Sequence, residues 1–211
     1  LCSPNDFKKE YTIKGIKVMN GAIAEGLVIP RGSASIIYSA DCPTIVYHDI
    51  KNDILITAHA GLASLIDRQK IITGFSSRSH ESIIDDIMRG RIVTNNRKVF
   101  VLCGIGSNSY KYDIDDPVYG ERNNKILKYF FDYYGTTVVP TYFEGGGDIS
   151  LLDVTLQQLD SYGVDTLKEV IHDGVDTYLD PRFHSYYWYS KFGKEEEKLF
   201  RNCVLVINNF E

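Results

Sequence analysis

No two of the four cysteines, Cys2, Cys42, Cys103 and Cys203, form a CxxC pair. Scattered thiols in a chain of this size exclude a disulfide framework and point to a reducing compartment, so the expected location is cytoplasmic. No apolar run is long enough to span a bilayer, and no signal-peptide pattern opens the chain; a membrane role is not expected. Positive charge is scarce: 23 Lys and Arg stand against 28 Asp and Glu, a net charge of −5. Such a surface repels a phosphate backbone, so nucleic acid is not an expected partner. Internal repeats, low-complexity linkers and breaks in composition are also missing, and residues 1–211 read as a single domain. With 44% hydrophobic and 24% charged residues, the chain has what a globular core needs.

The patterning mixes strands and helices. Residues 11–19 alternate Ile13, Ile16 and Val18 with lysines and predict one half-buried strand. Three β-branched runs follow, 35–39 (SIIYS), 44–47 (TIVY) and 54–57 (ILIT), with the turn-forming DIKND of 49–53 between the last two. Helical spacing begins after His59 at Leu62, Leu65 and Ile66, and returns over 80–89 with Ser79 as the expected cap. Residues 98–102 (KVFVL) predict a buried strand, 123–134 an aromatic-rich helix closed by Gly135, and 167–171 and 203–207 further strands. The best-marked helix is 150–162: Ser150 caps it, Asp153 stands at the capping-box position, and Gly163 follows its end. The βαβ rhythm of a doubly wound sheet is absent. The expected class is α+β, a mixed β-sheet layered sandwich with flanking helices.

One constellation carries chemistry. Ala40-Asp41-Cys42 ends one predicted strand and His59-Ala60-Gly61 ends another, and the hairpin between them returns the two ends side by side. A thiol beside an imidazole is an activated nucleophile in one setting and a pair of zinc or copper ligands in another. On residue types alone, a buried structural cysteine and a satisfied core histidine are the commoner explanation.

These words, ADC after a hydrophobic strand and then HAG leading into a helix, resemble the signature of the laccase-domain (YfiH-like) family, known as polyphenol oxidases or purine nucleoside phosphorylases. Further stretches are similar in the family's order. Residues 20–28 look like the entry to the strand before ADC. Residues 103–112 (CGIGSNSYKY) resemble the GPAIGPCCYEV-type loop, 149–164 the LDL…QL…GV segment, and 177–186 (TYLDPRFHSY) the CTY…FFSYRR motif. The resemblance implies a catalytic metal, zinc or alternatively copper, on Cys42, His59 and an upstream histidine. It implies phosphorolysis or deamination of purine nucleosides, with nucleoside and phosphate as the partners of a monomer or homodimer. Asp41 would orient a ligand or carry a proton, or else be a strand-end hydrogen bonder. The chain departs from the pattern in two places. It has no histidine before His48, which leaves Cys2 as the upstream candidate ligand. Leu62 and Ala63 replace the Trp-Arg after HAG, and Tyr187 and Trp188 replace the closing arginine pair, so weak phosphorolysis is expected unless Arg182 or Arg201 compensates. The rival functions are a metal-free Cys–His thiol hydrolase or deamidase, and a non-catalytic binding member of the family.

The remaining signals are weaker. His48 is expected in solvent, His80 in a helical turn and His172 at a strand end, while His184 is expected to pack among Tyr186, Tyr187 and Trp188. The EGGGD of 144–148 lacks the following Lys-Ser/Thr of a phosphate loop and predicts a flexible connection. The KEEEK of 194–198 reads as a solvated face.

Overall fold

The computed structural model describes residues 1, 3–20, 24–89, 96–106, 110–142 and 146–209. In chain order come β1 (Lys9–Ile13), β2 (Ile16–Asn20), β3 (Gly26–Val28), β4 (Ala34–Ser39), β5 (Thr44–Asp49) and β6 (Ile54–His59). Three short helices follow, α1 (Leu62–Leu65), α2 (Arg68–Thr73) and α3 (Ile83–Met88), then β7 (Arg97–Leu102) and β8 (Lys111–Asp113). The last part holds α4 (Gly120–Tyr134), β9 (Gly146–Asp148), α5 (Leu151–Ser161), β10 (Val170–His172), α6 (Tyr186–Phe192) and β11 (Asn202–Ile207).

The central sheet has the order β10-β7-β5-β6-β3, with β10 parallel to β7 and the other pairs antiparallel. Alternation assigns its two faces. Ile45, Tyr47, Ile56 and Ala58 enter the main core with Leu65, Ile84, Phe130 and Val154 from the helices. Val46 and Leu55 point the other way, toward Val204 and Val206 of the β4–β11 ribbon. Ser35 of that ribbon shares a 3.0 Å hydrogen bond with Thr57 of β6. Helices, mixed sheet and ribbon therefore stack in layers: the fold is α+β, a layered sandwich. Among the described residues, no helix is long and apolar enough to cross a membrane.

Four local expectations are corrected. Residues 11–19 form not one strand but the β1–β2 hairpin, which reverses at Lys14 and Gly15 with φ of 48° and 82°. Positive φ at both central residues suits the right-handed twist of a two-residue hairpin. The helix expected from Ser79 starts later, because Ser82 accepts the amide of Asp85 and fixes the first turn there. In the glycine stretch, Gly146–Asp148 is a strand paired with β8; the missing side chain of Gly147 admits Leu127 and Val139, which a Cβ would meet at 2.9 and 3.1 Å. Glu144 and Gly145 lie outside the described residues. The strand expected over 167–171 is shorter and shifted, Val170–His172. The expected cap of 150–162 holds: the Ser150 hydroxyl accepts the Asp153 amide at 3.2 Å.

Candidate active site

Cys42 stands in the turn between β4 and β5, and His59 is the last residue of β6. Thr44 pairs with His59 across the β5–β6 hairpin, so the turn carrying Cys42 comes back beside the imidazole. Gly61 shows how close they are. A Cβ on Gly61 would lie 3.1 Å from the Cys42 sulfur and 3.2 Å from His59 Nε2, so the two are no further apart than the sum of those distances. Only a residue without a side chain leaves room for both groups at that spot.

The second nitrogen of His59 is already taken. Glu25, immediately before β3, accepts at 2.9 Å from Nδ1 of His59 and at 2.8 Å from the Ser64 hydroxyl. A carboxylate on Nδ1 fixes the tautomer and leaves Nε2 facing the thiol. Burial alone would raise the Glu25 carboxyl, but the bonds from His59 and Ser64 outweigh it and hold it below the ordinary value. Glu25 was invisible as a site residue in the sequence, because its meeting with His59 depends on the β3–β6 register, in which Gly26 faces Ala58.

Asp41 faces the C-terminal segment. Its oxygens accept at 2.9 Å from the Thr177 hydroxyl and at 2.8 Å from the amide of Tyr187, while the amide of Tyr186 donates to the carbonyl of Ala40. Burial raises its carboxyl above the usual value despite the bonds from Ser185, Tyr187 and Thr177. The ADC turn is thus clamped to the start of α6, an element that the aromatic run YYWYSKF gave no helical reason to expect.

The Cys42 thiol is pushed up to about 11 by burial first and then by the negative charges of Asp41 and Glu25. In chelator-treated protein, its thiolate fraction at pH 7 should be roughly 10⁻⁴ by simple proton equilibrium. Alkylation by iodoacetamide should therefore be slow at neutral pH and rise about tenfold per unit until near pH 11. Peptide mapping checks this, with the exposed Cys203 as internal control; rapid neutral labelling of Cys42 would revive a free thiolate nucleophile.

Both residues open into a cavity of about 410 Å³. Tyr110, Tyr112 and Tyr186 line it, so the two segments that resemble the family's loop and closing motif, 103–112 and 177–186, both reach it. Residues 107–109 of the first segment are outside the described set. Three arginines, Arg68, Arg122 and Arg201, also line the cavity. Arg182 does not: it is exposed and paired with Asp180 at 2.6 Å. His184 stacks on Tyr189 at 4.4 Å and meets Phe200 edge-on, so it packs among aromatics, though not the three expected. His48 is a half-buried residue of β5 and not a solvent-facing turn residue. Cys103 lines a separate cavity of about 200 Å³ with Asp173. Cys2 lies outside the described residues.

As a metal site the donors are right in kind: a thiol and an imidazole that converge, with a carboxylate behind the imidazole. In number they stop at two, since no group of three His, Cys, Asp or Glu side chains able to hold a metal occurs among the described residues.

No family model matches the sequence, and no curated protein matches it. Solved structures do. YfiH of Bacillus licheniformis superposes with a TM-score of 0.64 at 17% identity, over 88% of this chain and 62% of that one. The chain has the YfiH fold. YlmD of Geobacillus stearothermophilus shares it with a TM-score of 0.62 at 16% identity, over 88% of this chain and 61% of that one. A Neisseria meningitidis protein of family-model DUF152 shares it with a TM-score of 0.55 at 16% identity, over 80% of this chain and 61% of that one. This version of the YfiH fold spans about three fifths of the length of these neighbours. So low an identity fits the divergence already seen after HAG and at Tyr187 and Trp188.

Proposed function

We propose that the protein is a metal-dependent enzyme acting on purine nucleosides by phosphorolysis, deamination or both. Cys42 and His59 are two of the ligands of a zinc or copper ion, with Cys2 as the third. The observation that carries this reading is the convergence of the Cys42 thiol and His59 Nε2 against Gly61, with Glu25 on the far nitrogen. The choice of nucleosides rests on the resemblance of ADC and HAG to the laccase-domain signature. When bound, the ion supplies Lewis-acid polarisation to the reacting oxygen.

The protein's own residues do the rest. Glu25 holds His59 in the tautomer whose Nε2 is a donor of electrons, not of a proton. Asp41 locks the ADC turn to α6 and so fixes where Cys42 points. Tyr110, Tyr112 and Tyr186 give flat walls for a heterocycle. A free Cys–His dyad has less support: burial, Asp41 and Glu25 push the Cys42 thiol up, and a bound cation would supply the charge that favours its thiolate.

The test is metal analysis of protein purified without added metal, together with base release from adenosine, inosine and methylthioadenosine with and without phosphate. Near-stoichiometric zinc or copper with nucleoside turnover is the expected result. Metal-free protein that leaves all three nucleosides intact after reloading would end the reading.

A further inference from the structure

Two arginines of the cavity, Arg68 and Arg122, stand out from the described arginines outside it. Arg31, Arg89, Arg97 and Arg182 are each paired with a carboxylate, and Arg78 donates to the carbonyls of Ala63 and Ile66. Arg68 and Arg122 have no ion-pair partner among the described residues, in a protein with more acidic than basic side chains. Arg122 donates to Asn123 at 3.1 Å and lies 4.4 Å from the centre of the Tyr119 ring, but its Nε is buried with no hydrogen-bond partner. An unsatisfied buried donor on a cation carries a penalty that a ligand can remove.

Position adds to this. Arg68 opens α2, Arg122 sits in the first turn of α4 and Arg201 precedes β11, so three distant segments bring guanidinium groups to one cavity. Arg68 and Arg122 both act on Tyr112, and Arg201 lies over Tyr186 at 5.7 Å. Against them the cavity lining offers one carboxylate among the described residues, Asp41, whose oxygens are already engaged by Thr177 and Tyr187. Guanidinium groups therefore outnumber carboxylates in the described lining, although the protein is negative overall. Planar guanidinium forks match the oxygens of a phosphoryl group bidentately, and several of them together suit its double charge.

We infer that Arg68, Arg122 and Arg201 form a subsite for a phosphoryl dianion in the cavity that holds Cys42 and His59. The inference rests on the reading of this cavity as the substrate site, and it replaces the arginines missing after HAG and at Tyr187 and Trp188 with others drawn from α2, α4 and the approach to β11. The dianion has two chemical sources: inorganic phosphate as co-substrate, or a phosphate ester carried by the nucleoside. Weak phosphorolysis, expected from the missing arginines, no longer follows.

Calorimetric titration of the purified protein with inorganic phosphate, adenosine and adenosine 5′-monophosphate separates the sources. Saturable binding of inorganic phosphate identifies the co-substrate. Binding of the monophosphate at least tenfold tighter than adenosine, without binding of inorganic phosphate, identifies the ester. In either case Arg122→Gln and Arg68→Gln should each weaken the anion at least tenfold, and Arg182→Gln should leave it unchanged. Melting curves and metal content of each variant show that fold and metal are intact; if Arg122→Gln does not fold, Arg68→Gln decides. The inference is overturned if neither anion binds, or if the variants bind it as the wild type does. Metal analysis is read separately, so a protein that binds phosphate without metal would sink the metalloenzyme and keep the subsite.

Discussion

Cys42→Ala and His59→Ala should each reduce bound metal to a small fraction of the wild-type amount and abolish measurable nucleoside turnover. Glu25→Gln should do less, lowering metal affinity or activity by about 10–100-fold, the usual cost of losing the partner behind a ligating imidazole. The order of effects follows from the geometry. The Cys42 thiol and His59 Nε2 are the groups that converge at Gly61, whereas Glu25 stands behind the imidazole on Nδ1. Glu25→Asp should recover part of the loss, because a shorter carboxylate still accepts from the ring. Metal content by mass spectrometry and initial rates with adenosine and inosine are the measurements. Full metal occupancy in Cys42→Ala would move the ion elsewhere and remove the thiol from the site.

The largest effect on stability is expected at the far end of the sheet. Arg97 begins β7 with its side chain 1% exposed, and it donates from Nε and Nη2 to Glu169 at 3.1 and 3.0 Å and from Nη2 to the carbonyl of Gly163. The Glu169 side chain is 12% exposed and also accepts the amide of Asp165 at 2.8 Å. The ion pair therefore joins the sheet to the connection between α5 and β10. Arg97→Ala leaves a buried carboxylate unpaired and should lower unfolding free energy by about 3–5 kcal/mol. Replacing both partners, Arg97→Met with Glu169→Leu, should recover much of that loss, because the desolvation of two charges disappears with them. Urea unfolding followed by circular dichroism tests both; a loss below about 1 kcal/mol in Arg97→Ala would mean that the pair is no better than a surface one.

Much of the layered core is legible in the sequence because its causes are local. The β-branched runs that became β4, β5 and β6 alternate or are wholly apolar, and DIKND supplies the turn between the last two. Ser150 and Gly163 mark α5 in the same local way. The pairing of Cys42 with His59 is legible for the same reason, since one hairpin links them. What escaped depends on contacts between distant segments. Glu25 reaches His59 through a strand register, and Arg68 and Arg122 reach the cavity only once α2 and α4 have packed. Lys14 in a left-handed turn and the aromatic residues of α6 follow tertiary context against weak local preference.

The clamp on the ADC turn has a consequence for synthesis. Thr177 and Tyr187, which hold Asp41, lie 136 and 146 residues beyond it. On a ribosome, the strands bearing the thiol and the imidazole emerge long before the residues that immobilise them. Contacts across so long a span close late, because the intervening chain must first give up its freedom. On the proposed metal-dependent reading, an ion meeting the growing polypeptide would find a pair of donors not yet held in place, and loading would belong to the folded chain.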